Sequence, residues 1–152
     1  QRRQLLRSSR QENLRGVRHL MQLKAVGLQS SWILEHELFA WRQIESGKSV
    51  GALAGMVPTP FKSGELSREQ GISKSGNRWV RSVAVELAWM WLRYQPQSAL
   101  TQWFQRRFAH GGVRARKVGI VALTRRLLIQ LWRYRQYGVV PPGAVLKTDL
   151  RF

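Results

Sequence analysis

The sequence predicts a mainly α-helical fold: a compact helical domain with a helix-hairpin-helix-like start and one irregular loop rich in serine, glycine and arginine. Three observations predict it. Apolar residues recur at helical spacing along 78–94 and again along 114–137. Glycine and proline punctuate the chain between helical stretches, at Gly27, Pro58 and Pro60, Gln95-Pro96, Gly111-Gly112 and Pro141-Pro142. With 152 residues, 43% of them hydrophobic, the chain is long enough to bury one core.

The elements follow in order. Residues 2–23 carry Arg2, Arg3, Arg7, Arg10, Arg15 and Arg18 among leucines, with Leu6, Leu14, Val17, Met21 and Lys24 roughly on one stripe. This pattern predicts a basic amphipathic helix, expected as a linker over 1–23. Lys24-Ala25-Val26-Gly27-Leu28-Gln29-Ser30 forms a tight break, and Ser30 or Ser31 is the expected N-cap of a helix over 32–44. Helix, glycine hairpin and helix is a layout that can turn backbone amides toward a phosphate, although an ordinary helical turn has the same outline. Residues 49–56 read as a short helix closed by Gly55 and stopped near Pro58 and Pro60.

A loop over 57–76 comes next. Asn77 is the expected cap of a helix over 78–94 whose buried stripe is Val80, Val83, Ala84, Leu87, Trp91 and Tyr94. Gln95-Pro96 ends it, Ser98 begins another helix to Phe108, and His110-Gly111-Gly112 is a turn. The last helix runs over 114–137 with Val118, Val121, Ala122, Leu128, Leu131 and Trp132 inside, and Arg116, Lys117, Arg125, Arg126, Arg133 and Arg135 around its outer faces. Pro141 and Pro142 are its expected stop, and 141–152 reads as a loose tail after a helical domain over 24–140. Core packing is the expected role for most of Trp79, Trp89, Trp91, Trp103 and Trp132.

Charge narrows the function. The 26 lysines and arginines against 8 acids give a formal charge of +18, which disfavours compaction unless a polyanion binds. Nucleic acid is the leading partner. There is no cysteine, so disulfides, thiol catalysis and cysteine-ligated zinc are excluded. His19, His36 and His110 stand at no ligand spacing, and Asp149 is the sole aspartate, so an acidic metal cluster is hard to assemble. No run of about 18 uncharged apolar residues exists to cross a membrane. The opening Gln1-Arg2-Arg3-Gln4 reads like the interior of a longer protein.

The loop carries the chemistry. Phe61-Lys62-Ser63-Gly64-Glu65-Leu66-Ser67-Arg68-Glu69-Gln70-Gly71-Ile72-Ser73-Lys74-Ser75-Gly76-Asn77 combines hydroxyls, glycines and cations at a density suited to phosphate. Arg78 and Arg81 fall in the first turn of the next helix, where cations oppose the dipole unless an anion lies between them. Lys24, Lys62, Arg68, Lys74, Arg78 and Arg81 are the candidate phosphate contacts, because that role needs only charge and reach. From the residues alone, Ser63 reads as a turn serine before Gly64, satisfied by nearby amides, ahead of any catalytic role.

These residues, with Gly55-Met56-Val57-Pro58, Glu86-Leu87-Ala88-Trp89, Trp91-Leu92-Arg93-Tyr94-Gln95-Pro96, Gly119-Ile120-Val121-Ala122-Leu123, Leu131-Trp132-Arg133-Tyr134 and Gly143-Ala144-Val145-Leu146-Lys147, appear in an order that resembles the C-terminal, serine-bearing domain of the insertion-sequence-110 family of transposases. The resemblance covers most of residues 20–147. It implies a DNA transposase or recombinase in which Ser63 is the nucleophile on a DNA phosphate, with Ser67 and Ser73 as alternatives. It further implies an N-terminal acidic domain that holds magnesium and lies outside this chain, no cofactor here, and inactivity of this chain alone. A structured guide RNA, a homo-oligomer and a cytoplasmic place at the bacterial nucleoid belong to the same implication. The alternative is a non-catalytic basic helical module that binds DNA or RNA.

Overall fold

A computed structural model describes residues 2–39 and 78–147. Among them are five α-helices and no strand: α1 (Arg2–Met21), α2 (Leu28–Leu34), α3 (Arg78–Tyr94), α4 (Ala99–Phe108) and α5 (Gly112–Tyr137). A π-helical turn, Glu35–Phe39, continues α2. The expected helices over 49–56 and beyond Phe39, and the Asn77 cap, lie outside the described residues.

The centre is a layer in which α5 packs against both α3 and α4, with α1 and α2 closing one side. Val80, Ala84, Leu87, Ala88 and Trp91 are the buried face of α3, close to the predicted stripe, but Val83 is half-buried and Tyr94 is exposed. Gln95 and Pro96 end α3 as expected. Ser98 caps α4, accepting from the Thr101 N–H at 3.1 Å and from the buried Trp91 indole N–H at 2.8 Å.

Several expectations are corrected by packing. Val118 is 60% exposed and Val121 is also exposed. The inner face of α5 is instead set by Gly119, where an added Cβ would fall 2.4 Å from the Phe108 ring. Close approach of α4 at that glycine turns Ile120, Leu123 and Leu127 inward and leaves the valines outside. Trp79, 70% exposed, and Trp89 are surface residues, whereas Trp91 and Trp132 are buried. The stop of α5 is Gly138 at φ 71°, whose N–H bonds the Tyr134 carbonyl, three residues before Pro141. Gly27, not Ser30 or Ser31, precedes α2; Ser31 is buried and its hydroxyl donates back to the Gly27 carbonyl at 2.8 Å.

The first helix is no free linker. Val17 and Leu20 are buried, followed by Leu23, whereas Leu14 and Lys24 of the predicted stripe are exposed. The chain leaves the helix after Met21, so the helical phase does not carry on to Lys24. Nor is 141–147 loose. Leu23 and Leu146 form an antiparallel bridge, the Lys24 N–H bonds Val145 O at 3.1 Å, and the Lys147 N–H bonds Gln22 O at 2.7 Å. Lys147 Nζ donates to Val26 O at 2.7 Å, and burial pulls its pKa below the ordinary lysine value. Gln95, buried at the end of α3, donates to Lys24 O and Val145 O and accepts from the Val145 N–H, all at 2.8 Å. These bonds hold Ala25 at φ 88°, the left-handed region an L-residue rarely occupies.

Arg135 also departs from the predicted outer face. It turns inward to the fully buried Glu35, donating from Nε to Oε2 at 2.9 Å and from Nη2 to Oε1. That hydrogen bonding keeps the guanidinium pKa above its ordinary value despite burial. The Glu35 carboxylate lies against Gly16, where a Cβ would come within 2.4 Å of it. Removing one partner of such a pair strands the other in low dielectric. Gly16→Ala should therefore lower stability by about 1–3 kcal/mol through overpacking, read as a lower urea midpoint; an unchanged midpoint would mean that the carboxylate moves aside at no cost.

Candidate nucleic-acid interface

The first turn of α3 carries Arg78 and Arg81, both exposed, with Trp79 between them and no acid in that turn. The positive end of the helix dipole lies there, so two guanidiniums raise the positive potential further. An anion bound between them would relieve the repulsion.

A second concentration of charge surrounds the α4–α5 turn. Arg106 and Arg107 end α4, and Arg114, Arg116 and Lys117 begin α5, all exposed and again with no acid in the first turn. Several arginines lie over aromatic rings. Arg116 Cζ sits 5.9 Å from the Trp89 ring, Arg126 Cζ 4.1 Å from that of Trp103, and Arg107 Cζ 5.9 Å from that of Phe108. A ring under a guanidinium restricts its orientation without neutralising it, which suits contact with phosphate. Sequence reading placed Arg116, Lys117 and Arg126 on outer faces of the last helix and assigned none of these cations a site. The usable signal was the crowding of five of them within 106–117, around a turn.

The sequence-predicted contacts do not all converge. Arg78 and Arg81 share one turn. Lys24 is exposed in the α1–α2 connection, whose backbone is bound to Gln95 at the other end of α3. At 1.5 Å per residue, the 17 residues of α3 separate the two ends by about 25 Å. The Lys24 N–H is engaged by Val145, so that hairpin amide is not offered to a phosphate. Ser63, Lys62, Arg68 and Lys74, with Ser67 and Ser73, lie outside the described residues.

Acids are few on this surface. Glu12, Glu35, Glu37 and Glu86 are the described ones, and Glu35 is sealed by Arg135. Among the described residues no three His, Asp or Glu side chains come together. No described helix is long and apolar enough to cross a membrane.

Two curated relatives come from Sinorhizobium fredii (strain NBRC 101917 / NGR234). "Putative transposase y4rJ" is 43% identical over 130 residues, 85% of this chain and 33% of its own length. "Putative transposase y4qE" is 33% identical over 78 residues, 51% of this chain and 20% of its own length. The chain thus spans a third or less of the relatives it matches. No solved structure matches it. Residues 17–103 match the family described as "Transposase IS116/IS110/IS902 family", a span that runs from α1 past Ser63 to the middle of α4, and the chain belongs to that family.

Proposed function

We propose that this chain is the DNA-gripping, serine-bearing helical part of a DNA transposase. The observation that carries the reading is the family match over 17–103, which includes Ser63 and both arginines of the α3 first turn. In this reading Arg78 and Arg81, with Lys62, Arg68 and Lys74 from the loop, hold the phosphates of the strand to be cut. Their charge neutralises the phosphate oxygens, and the positive end of the α3 dipole adds to the same field. Lys24, at the far end of α3, meets a different stretch of backbone.

The chemistry is a transesterification. Ser63 Oγ attacks a backbone phosphorus, its proton passes to a base, and the bond from phosphorus to one sugar oxygen breaks. The departing sugar oxygen takes up a proton, and the cut strand stays joined to Ser63 until a second strand end attacks and restores the diester. A serine hydroxyl needs activation, and no carboxylate–histidine pair stands near Ser63 in the sequence. Activation in this reading comes from the part of the longer protein outside this chain. The same reading has the longer protein act as a homo-oligomer with a structured guide RNA, in the cytoplasm where the chromosome lies. The helix-hairpin-helix reading of α1 and α2 belongs to it as a backbone contact through the Lys24 side chain.

Two measurements test it. With the protein restored to its relatives' length, its element-end RNA and a nicked suicide DNA, a denaturant-resistant protein–DNA band should form and should vanish in Ser63→Ala. A band retained in Ser63→Ala and lost in Ser67→Ala or Ser73→Ala would move the nucleophile. DNA binding with no band in any variant would leave a binding module. Separately, Arg78→Ala with Arg81→Ala should weaken binding to duplexes of any sequence and reduce the slope of log affinity against log salt by about 2. An unchanged slope would remove these arginines from the interface.

A further inference from the structure

Away from the loop and from the α3 first turn, α1 and α2 enclose a groove of about 560 Å³ lined by Arg7, Arg10, Asn13, Leu14, Trp32 and His36, together with Ser9. Two stripes face each other across it. Arg7, Arg10 and Leu14 recur at helical spacing on α1, while Trp32 and His36 stand one turn apart on α2 and its π-helical extension. Trp32 remains 46% exposed, although the His36 ring stacks on it with centroids 4.2 Å apart. His36 Nδ1 donates to the Trp32 carbonyl at 2.9 Å, which fixes the imidazole against the indole. Leu14 is also exposed and adds to the apolar floor. Arg7 and Arg10 are exposed, and among the described residues no acidic side chain lines the groove.

From this arrangement we infer a binding site for an unpaired nucleotide of a single strand, its base on Trp32 and its phosphates on Arg7 and Arg10. Each part of a nucleotide has a counterpart. The volume lies within the range of small-ligand sites. A base has a π face for the indole, and stacking of this kind is tolerant of sequence. The half-buried Asn13 amide carries both donors and an acceptor for a base edge. Two guanidiniums match the charge of consecutive phosphates. An acidic peptide would satisfy the arginines but leave Trp32 in water. A duplex would satisfy the arginines as well, but its base faces are covered by their neighbours, so only an unpaired base can reach the ring. The inference rests on the nucleic-acid reading above for the class of ligand, but uses none of its residues.

The test compares affinities by fluorescence anisotropy, using the full chain with dye-labelled oligothymidylate and oligouridylate of about twelve nucleotides and a duplex of equal length. Trp32→Ala should weaken single-strand binding about tenfold and leave duplex binding unchanged. Trp32→Phe, which keeps an aromatic face, should restore most of the loss, and this guards against a merely misfolded variant. Arg7→Ala with Arg10→Ala should weaken the single strand and flatten its salt dependence. Loss of DNA but not RNA affinity, or the reverse, would identify which strand the site takes. Equal losses for duplex and single strand in Trp32→Ala, no loss in either, or displacement of the oligonucleotide by poly-glutamate of equal charge would overturn the assignment. Failure of Arg78→Ala with Arg81→Ala to change duplex binding would strike the proposed function and leave this site standing.

Discussion

Buried where α3 ends, the side-chain amide of Gln95 gives both its N–H groups to the carbonyls of Lys24 and Val145 and accepts the Val145 N–H. The three segments it joins are far apart in sequence, and the part-buried bonds tie them at one point. An amide suits the position because it is planar, uncharged and offers two donors and an acceptor within one small group. A carboxylate would lack the donors, and an ammonium would lack the acceptor. The strained Ala25 backbone and the Leu23–Leu146 bridge lie beside this contact, while α1 meets α5 directly through His19 stacked on Tyr134.

Fixing one end of α3 leaves the other free for charge. The helix is anchored by its buried Trp91, by Ser98 beyond it, and by Gln95, so Arg78 and Arg81 are held outward by a rigid rod rather than by a loop. Repulsion at that end is offset by burial along the whole inner face, from Val80 and Ala84 to Trp91. The Glu35–Arg135 pair plays a related part. It takes one acid and one base out of circulation inside the protein and leaves the surface more purely cationic. The aromatic rings beneath Arg107, Arg116 and Arg126 then order that surface, as a ring limits where a guanidinium can point.

What was legible in the sequence was local. Gln95-Pro96, the Ser98 cap and the stripe from Val80 to Trp91 all act within a few residues, and α3 and α4 follow from them with nearly correct ends. The phase of α5 was not legible, because it turns on Gly119 meeting Phe108, and a glycine says nothing about its neighbour until the partner helix is in place. Val118 and Val121 misled for the same reason: hydrophobicity marks what can be buried, not which side faces the core. Glu35 gave no hint of burial, since its partner is 100 residues away. For the site, Arg78 and Arg81 could be picked out by their placement against the helix dipole, a property of a single turn. The groove of Arg7, Arg10, Trp32 and His36 could not, because it exists only once two helices stand opposite each other.

The clasp between 22–24 and 145–147 bears on the order of events during synthesis. A ribosome releases α1 and α2 long before Val145 emerges, and until then the backbone groups around Lys24 have neither Gln95 properly seated nor a strand partner. Closing so long a loop is slow relative to forming the helices it connects. The nascent chain therefore carries a basic, partly helical segment with open hydrogen-bonding groups while the residues between the two halves of the clasp are made. Final assembly waits on the last few residues of the clasp, so the cell meets a finished surface only after nearly the whole of this region has been made.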